Sequence, residues 1–187
     1  VGSINTFIED SSFTTNAFGI TINGGNDTYL SRLAISGGSA NVGMNIIRTG
    51  AIIASDIDVV LCEYGIRMLT DGTNNISWSF FSQVLVDTCS QTALQILSSG
   101  TSQVKGIFFQ NCWFATSGTH GILVQNSGST DYVSDLTFVG CRSVNNDNYG
   151  STMVASAVGR IRDITFIGCT ISGNSTVTLI NCKLNKP

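Results

Sequence analysis

The sequence VKGIFFQNCWFA, which begins at Val104, aligns without gaps with three other stretches of the chain. These are ISWSFFSQVLVD from Ile76, VSDLTFVGCRSV from Val133 and IRDITFIGCTIS from Ile161. The four starts are 28, 29 and 28 residues apart. Three earlier stretches fit the same template, the last only weakly: ASDIDVVLCEYG from Ala54, LSRLAISGG from Leu30 and VGSINT from Val1. The chain therefore reads as seven repeated units, and a repeat of this length indicates stacked turns.

Each unit has the same internal order. An apolar residue opens it, and a short strand follows whose inward residues are Ile35, Val59, Phe81, Phe109, Phe138 and Phe166. A residue suited to a sharp bend comes next, at Gly37, Gln83, Asn111, Gly140 and Gly168, with Leu61 as the exception. A second short strand, a polar loop and a third strand complete the unit. The third strands are GITI at Gly19, MNII at Met44, GIRM at Gly65, ALQIL at Ala93, GILV at Gly121, TMVA at Thr152 and TVTLI at Thr176.

Three short strands around one tight corner are typical of one turn of a solenoid, because a single turn cannot bury its own apolar face. We therefore predict an all-β, right-handed, single-stranded parallel β-helix of about seven coils, with three short parallel sheets. Residues 1–187 would form one domain. An antiparallel sandwich is the alternative, but it offers no reason for a 28-residue period.

Composition narrows the choice of partners. Hydrophobic residues make up 42% of the 187 residues, charged residues 11%, and the net charge is -3. Because no Lys/Arg cluster exists to neutralise phosphates, we expect no nucleic-acid partner. No apolar run reaches the roughly 18 residues that a membrane span needs. The chain starts at Val1, with neither an initiator Met nor a signal peptide, and we expect it to be a piece of a longer protein.

Four cysteines share one place in the repeat. Cys62, Cys112, Cys141 and Cys169 each fall eight residues after the start of their unit, and Val84 takes that place in the fourth unit. The pattern predicts an inward column of reduced thiols, since stacked neighbours point the same way and would strain a disulfide, the alternative reading. Two further cysteines, Cys89 and Cys182, lie outside the column. No Cys/His spacing suggests zinc, so we predict no metal and no cofactor.

Candidate site residues come from the second strand. On this alignment five residues should stack outward, one per turn: Glu63, Leu85, Trp113, Arg142 and Thr170. Asp87 would lie one turn above Glu63 and two residues along, which places the two backbones roughly 8 Å apart. This spacing suits a pair of catalytic carboxyls with a water between them. The simpler reading is that both acids are solvated surface residues.

Three further residues could contact a ligand. Trp113 could stack on a sugar or lie under a loop, and Arg142 could bind an acidic sugar or pair with a nearby carboxylate. His120, the single histidine, could serve as a general base or be polar surface. A separate set of acids, Asp56, Asp135 and Asp163, takes the third place of each unit, where we expect corner aspartates and, as the lesser alternative, a calcium site.

The repeats VKGIFFQNC, VSDLTFVGC and IRDITFIGC resemble the pectin-lyase-like right-handed β-helix superfamily over nearly the whole chain. Within it, the Asn/Ser/Thr-rich texture is most similar to bacteriophage tailspike proteins. That resemblance implies a trimer of the virion tail that binds bacterial surface polysaccharide and often cleaves it. The superfamily's lyase and hydrolase motifs are not intact here, and GTHGI around His120 resembles one of them only faintly.

An apolar stripe on the outer side of the first strands also bears on assembly. Its members are Val60, Phe80, Phe108, Val139 and Ile167. Because large exposed apolar patches are rare on monomers, something must cover this stripe. A neighbouring chain of a homotrimer is the simplest cover, and a long loop or a missing flanking segment is the alternative.

These observations leave three functions open. The first is a tailspike-like β-helix domain that binds, and as a glycoside hydrolase would cleave, a capsule or O-antigen polysaccharide, with Glu63 and Asp87 catalytic and Trp113, Arg142 and His120 binding substrate. The second is a non-catalytic structural or receptor-binding segment of a spike. The third is a secreted, monomeric polysaccharide lyase or hydrolase.

Overall fold

A computed structural model describes residues 5–14, 17–38, 41–128, 130–155, 160–180 and 182–184, with side chains described up to residue 172. Sixteen strands cover most of this part of the chain, and every strand pairing between them is parallel. Within the described residues, no helix is long and apolar enough to cross a membrane. The prediction of an all-β parallel β-helix is confirmed.

Two long ladders carry the fold. The first consists of β1 (Thr6–Thr14), β3 (Thr28–Ser36), β5 (Ile52–Val60), β7 (Ile76–Asp87), β9 (Gln103–Gln110), β12 (Tyr132–Val139), β14 (Ile161–Ile167) and β16 (Cys182–Leu184). The second consists of β2 (Phe18–Asn23), β4 (Val42–Arg48), β6 (Tyr64–Leu69), β8 (Thr92–Ser98), β11 (His120–Asn126), β13 (Arg142–Ala155) and β15 (Thr170–Ile180). The second ladder contains all seven of the predicted third strands.

A short third ladder links the other two. The strand β10 (Trp113–Ala115) pairs with the end of β7 on one side and with the start of β13 on the other. Each turn therefore has a first face, a second face and a third face, in chain order. Hydrogen bonding runs on through the corners, so the predicted three sheets form one 16-stranded sheet.

The number of turns differs from the prediction. The stack has about five regular turns, from β3 to β13, rather than seven. At one end the reason is the weak first repeat, since every residue of β1 is exposed or half-buried, including Ile8 and Phe13, which pack against the core. At the other end, the side chains that would fill the last turn lie beyond the described ones.

Left-handed backbone marks the corners. The corner between the first and second faces has φ between 52° and 62° in every turn, at Arg32, Asp56, Gln83, Asn111, Gly140 and Gly168. The corner between the second and third faces has φ between 50° and 59°, at Leu61, Thr88, Thr116 and Asn145. Because a non-glycine residue in this region costs about 1–2 kcal/mol, stacking must hold these corners in place.

The bends predicted at Gln83, Asn111, Gly140 and Gly168 are thus confirmed, and the one at Gly37 is wrong. In the early turns the corner falls at Arg32 and Asp56. The reason is a register error of five residues in the alignment, because β5 pairs Ala54 with Phe81 rather than with Ile76.

The core is built of columns of like side chains. In one column Phe81, Phe109, Phe138 and Phe166 stack with ring centroids 5.1, 4.9 and 4.7 Å apart. The column continues below with Ala54 and Leu30, which pair with Phe81 through the ladder. The predicted inward positions Ile35 and Val59 are buried as well, but they lie on the second face, below Val86.

The cysteines form two columns rather than one. Cys112 and Cys141 are buried and Cys169 half-buried, each one residue past the first corner, with Val84 at the same place in β7. Cys62 is not part of this column. It lies past the second corner, and Cys89 holds the same place one turn above, because Val60 pairs with Asp87. All five described cysteines are free thiols, and Cys182 lies outside the described side chains.

The predicted outer stripe is likewise divided. Phe80 and Phe108 stack at 5.1 Å on the first face, but Val139 and Ile167 belong to the neighbouring column and Val60 pairs with Asp87 on the second face. The observed outward column is the first-face stripe, which consists of Phe7, Tyr29, Ile53, Phe80 and Phe108.

Candidate functional site

The second face presents one outward column of five side chains: Asp58, Leu85, Trp113, Arg142 and Thr170. The predicted stacking of the last four is confirmed. The predicted place of Glu63 below Leu85 is wrong, because the five-residue register error places Asp58 there.

Asp58 and Asp87 form a carboxylate pair on this face. Asp58 pairs with Leu85 and Val60 with Asp87, so Asp87 lies one turn above Asp58 and two residues along. Two residues and one turn separate the two backbones by roughly 8 Å. The offset predicted for Glu63 and Asp87 is therefore present, with Asp58 in the place of Glu63.

The environments of the two carboxyls differ. Burial, and secondly the charge of Asp87, raise the pKa of Asp58 above its usual value. The Oδ1 atom of Asp87 accepts hydrogen bonds from the backbone N–H and the hydroxyl of Thr88, at 2.7 and 3.3 Å. The Asp58 carboxyl is thus biased towards its protonated form.

The Trp113 ring packs against residues of its own column. The Arg142 guanidinium lies over the Trp113 ring at 4.7 Å from the centroid. Stacking along the helix axis places Leu85 on the turn below. A ligand approaching from outside therefore meets the edge of the indole rather than the open face expected for sugar stacking, and it meets Arg142 beside it.

Glu63 and His120 lie on the other side of the second corner, in a hydrogen-bonded network. Glu63 Oε1 accepts a bond of 2.7 Å from the Gln91 side-chain amide, and the Tyr64 hydroxyl donates to Gln91 Oε1 at 3.0 Å. One turn above, the Thr119 hydroxyl donates to the Gln91 carbonyl oxygen and lies 3.0 Å from His120 Nδ1.

The His120 ring is held on its face as well. It stacks on Tyr149, the residue above it in the ladder, with centroids 5.0 Å apart. Burial lowers the pKa of His120, which favours the neutral imidazole near neutral pH. The predicted site residues therefore form two clusters: Asp87, Trp113 and Arg142 on the second face, and Glu63 and His120 at the start of the third.

A shallow groove runs along the corner between these clusters. We call it the axial groove. It has a volume of about 440 Å³ and is lined by Gly37, Gly38, Leu61, Cys62, Thr88, Cys89, Ser90, Thr116, Gly118 and Asp147. These residues come from five successive turns, which at the usual spacing of strands extend over roughly 19 Å. Asp87 precedes Thr88 at one lip, and Gln91 follows Ser90 at the other.

The groove floor contains strained backbone. Thr88 and Thr116 have φ of 56° and 50°, although a β-branched residue rarely takes this conformation. Such outliers cluster at ligand sites, where the surrounding structure must hold them. The alignment missed this groove because Leu61, Thr88 and Thr116 are not residues typical of a bend, and Gly37 at the equivalent place was the available signal.

The groove cysteines are not reactive nucleophiles. Burial raises the pKa of Cys62 to about 11 and that of Cys89 to about 12, so both remain thiols at neutral pH. Among the described residues, no group of three or more His, Cys, Asp or Glu side chains could hold a metal ion.

The corner aspartates have mainly structural contacts. Asp135 and Asp163 stack at a kink of the first face with φ of 54° and 56°, and Asp56 lies at the first corner with φ of 54°. Asp135 accepts a bond from the Ser134 hydroxyl, and Asp163 lies 3.7 Å from Arg162. These three acids therefore do not gather at one place.

Comparison with known proteins adds no relative. No protein-family model, no curated protein and no solved structure matches this chain. The fold and the groove together define it as a parallel β-helix with an elongated surface groove along one corner.

Proposed function

We propose that this chain is the β-helix domain of a tailspike-like protein of the pectin-lyase-like superfamily, and that it binds a bacterial surface polysaccharide along the axial groove. The observation that supports this most is the shape of the groove. It crosses five turns parallel to the helix axis, which suits an extended polymer better than a small metabolite.

The groove lips supply the groups that a sugar chain requires. Hydroxyl, amide and carboxyl side chains border it, among them Ser90, Thr116 and Gln91, and sugar hydroxyls are both donors and acceptors of hydrogen bonds. Hydrogen bonds to Glu63 and Tyr64 hold the Gln91 side chain in place before a ligand arrives. Such preorganisation lowers the entropy cost of binding.

Charge favours a neutral or amino-sugar polymer over a polyanion. Asp147 lines the groove, Asp87 and Glu63 adjoin lining residues, and Asp58 and Arg142 lie in the outward column of the second face beside it. A polyanionic capsule would be repelled by this excess of carboxylates.

Asp58 and Asp87 are our candidates for hydrolysis, in place of Glu63 and Asp87. Asp58, with its raised pKa, would donate a proton to the glycosidic oxygen. Asp87 would accept a proton from a water that attacks the anomeric carbon from the opposite face. A separation of about 6.5–9.5 Å between the two carboxyls is the arrangement of inverting enzymes.

A panel of purified capsule and O-antigen polysaccharides, neutral and acidic, tests this proposal. We expect a neutral or amino-sugar polymer to bind and to release oligosaccharides, measured as new reducing ends. Asp58→Asn and Asp87→Asn should each lower release by at least about 100-fold while binding persists. Asp163→Asn, on the distant kink, is the matched control and should act like the wild type.

Three other results would be informative. Binding without release in the wild type would leave the non-catalytic spike segment as the function and would remove Asp58 and Asp87 as catalysts. Failure to bind every polymer in a wide panel would contradict the glycan proposal itself. Full activity in both Asn variants would show that the reacting groups lie elsewhere.

Assembly is the second part of the proposal. The first-face stripe is exposed at several places, with Phe7 62% and Ile53 45% accessible, and Trp78 beside it is 67% accessible. A neighbouring subunit of a homotrimer in a virion tail would cover this apolar column.

A further inference from the structure

A buried polar cluster lies inside the helix, where the third face leads into the next turn. Ser98, Ser102 and Asp131 are 0% exposed, and Asn126 is 5% exposed. The Asn126 amide donates to the Ser98 hydroxyl at 3.4 Å and to the Asp131 carbonyl oxygen at 3.1 Å. This corner therefore places a carboxylate, an amide and two hydroxyls in the interior of the helix.

Three oxygens of this cluster lack a hydrogen-bond partner. They are both carboxylate oxygens of Asp131 and the hydroxyl oxygen of Ser102. Gln103 pairs with Tyr132, so Ser102 and Asp131 hold equivalent places on adjacent turns. A buried carboxylate without a partner is costly, by several kcal/mol, unless a counter-charge accompanies it.

Within the part of the chain whose side chains are described, no cation pairs with Asp131. Arg160, on the next turn, directs its Nη1 to the Thr130 carbonyl oxygen at 3.5 Å. Among the described side chains, the buried carboxylate is therefore left without a cationic partner.

Two oxygen atoms approach the backbone beside Gly128. A Cβ atom added there would collide with Asp131 Oδ1 and would lie 3.1 Å from the Gly100 carbonyl oxygen. A carboxylate oxygen and a carbonyl oxygen thus lie on the same side of Gly128, and the Asp131 carboxylate takes up the room that a larger residue would need. Oxygen ligands of this kind, with a hydroxyl nearby, are the preferred donors of Ca²⁺.

We propose that this interior corner binds a hard metal cation of the Ca²⁺ type, held by the Asp131 carboxylate with the Ser102 hydroxyl and the Gly100 carbonyl. The ion would neutralise the buried carboxylate and join two adjacent turns. Its role is structural, and it does not depend on the glycan proposal. With one carboxylate in the set, affinity should be modest, since calcium sites weaken as the ligand charge falls.

Calcium binding to the whole chain, freed of metal by EGTA and dialysis, tests the proposal. We expect isothermal titration with CaCl₂ to give one site per chain, and the thermal midpoint to rise with Ca²⁺ and to saturate. Asp131→Asn should abolish both effects, and Ser102→Ala should weaken binding. Asp135→Asn, an exposed acid in the following strand, is the control and should bind like the wild type.

The two metal-free proteins give a second readout. Asp131→Asn removes an uncompensated charge, so without metal it should be at least as stable as the wild type. If it fails to fold, the Ser102→Ala titration still decides. A wild type that binds no Ca²⁺, or that responds to it in the same way as Asp131→Asn, would overturn the proposal.

Discussion

At the scale of the residue, stacking sets the role of each side chain. Arg142 covers Trp113, Tyr149 covers His120, and Phe109 lies between two other phenylalanines. An aromatic residue in such a column uses its faces on its neighbours and presents its edge outward. Sequence can identify these residues as ligand candidates, but the columns decide which surface each one offers.

The phenylalanine column permits a direct test of this packing. Phe109 is fully buried between Phe81 and Phe138 and meets Phe114 edge-on at 5.8 Å. Phe109→Ala should lower the free energy of unfolding by about 3–5 kcal/mol, since it leaves a cavity at the centre of the column. Urea denaturation measures this loss. Thr137→Ala, on the outward side one turn above, should change it by less than about 0.5 kcal/mol.

At the scale of the element, the repeat predicted strands and corners well where glycine or asparagine marks the bend. From Ile76 onwards the alignment gives the observed pairs, such as Ile76 with Val104. Before it, Arg32 and Asp56 occupy the corners without any such mark. A left-handed residue also resets the alternation of inward and outward positions, so an alignment displaced by five residues still keeps apolar side chains inside.

The same register error affected the prediction of the candidate site. Asp87, Trp113 and Arg142 could be placed from the sequence because they follow the correctly aligned turns. The second carboxylate of the pair could not be placed from the sequence. The choice between Glu63 and Asp58 depends on which residue lies beside Leu85 in the ladder. The strained corner beneath the groove was not recognised either, because Thr88 and Thr116 rarely take this conformation and only the stack holds them in it.

Substituting two corner glycines measures the cost of backbone strain separately from the cost of a steric clash. Gly140 and Gly168 have φ of 62° and 60° in successive turns. A Cβ at Gly140 would lie 2.5 Å from Asn111 Oδ1, whereas one at Gly168 would meet nothing within 4 Å. Gly168→Ala should therefore cost about 1–2 kcal/mol from strain alone.

Gly140→Ala should cost more than Gly168→Ala, because the Asn111 side chain must also move. Denaturation midpoints of the two variants measure the difference. Adding Asn111→Ala to Gly140→Ala should bring the cost of the Gly140 change back towards that of Gly168→Ala. If the two single variants lose equal stability, the Asn111 side chain moves aside without a measurable cost.

At the scale of the whole molecule, the proposed trimer can be examined through the first-face stripe. Analytical ultracentrifugation of the wild type should give a species three times the monomer mass. Ile53→Lys combined with Phe80→Lys should shift it to monomer, because two charges would have to be buried in the contact. Thr137→Lys, further along the same outward column, is the control.

A monomeric wild type at all accessible concentrations would contradict this assembly. It would also favour a secreted, single-chain enzyme over a spike. Dissociation by Thr137→Lys alone would place the contact further along the stack than the aromatic residues.

The axial groove takes the same corner position from each of five turns. Its length is therefore set by the number of turns, while its cross-section is set by the corner. Because turns in a solenoid interact mainly with their nearest neighbours, whole turns can be gained or lost without rebuilding the rest. Adding or deleting one repeat would therefore lengthen or shorten the groove by one turn. The length of the polymer segment that the groove binds would change by the same step.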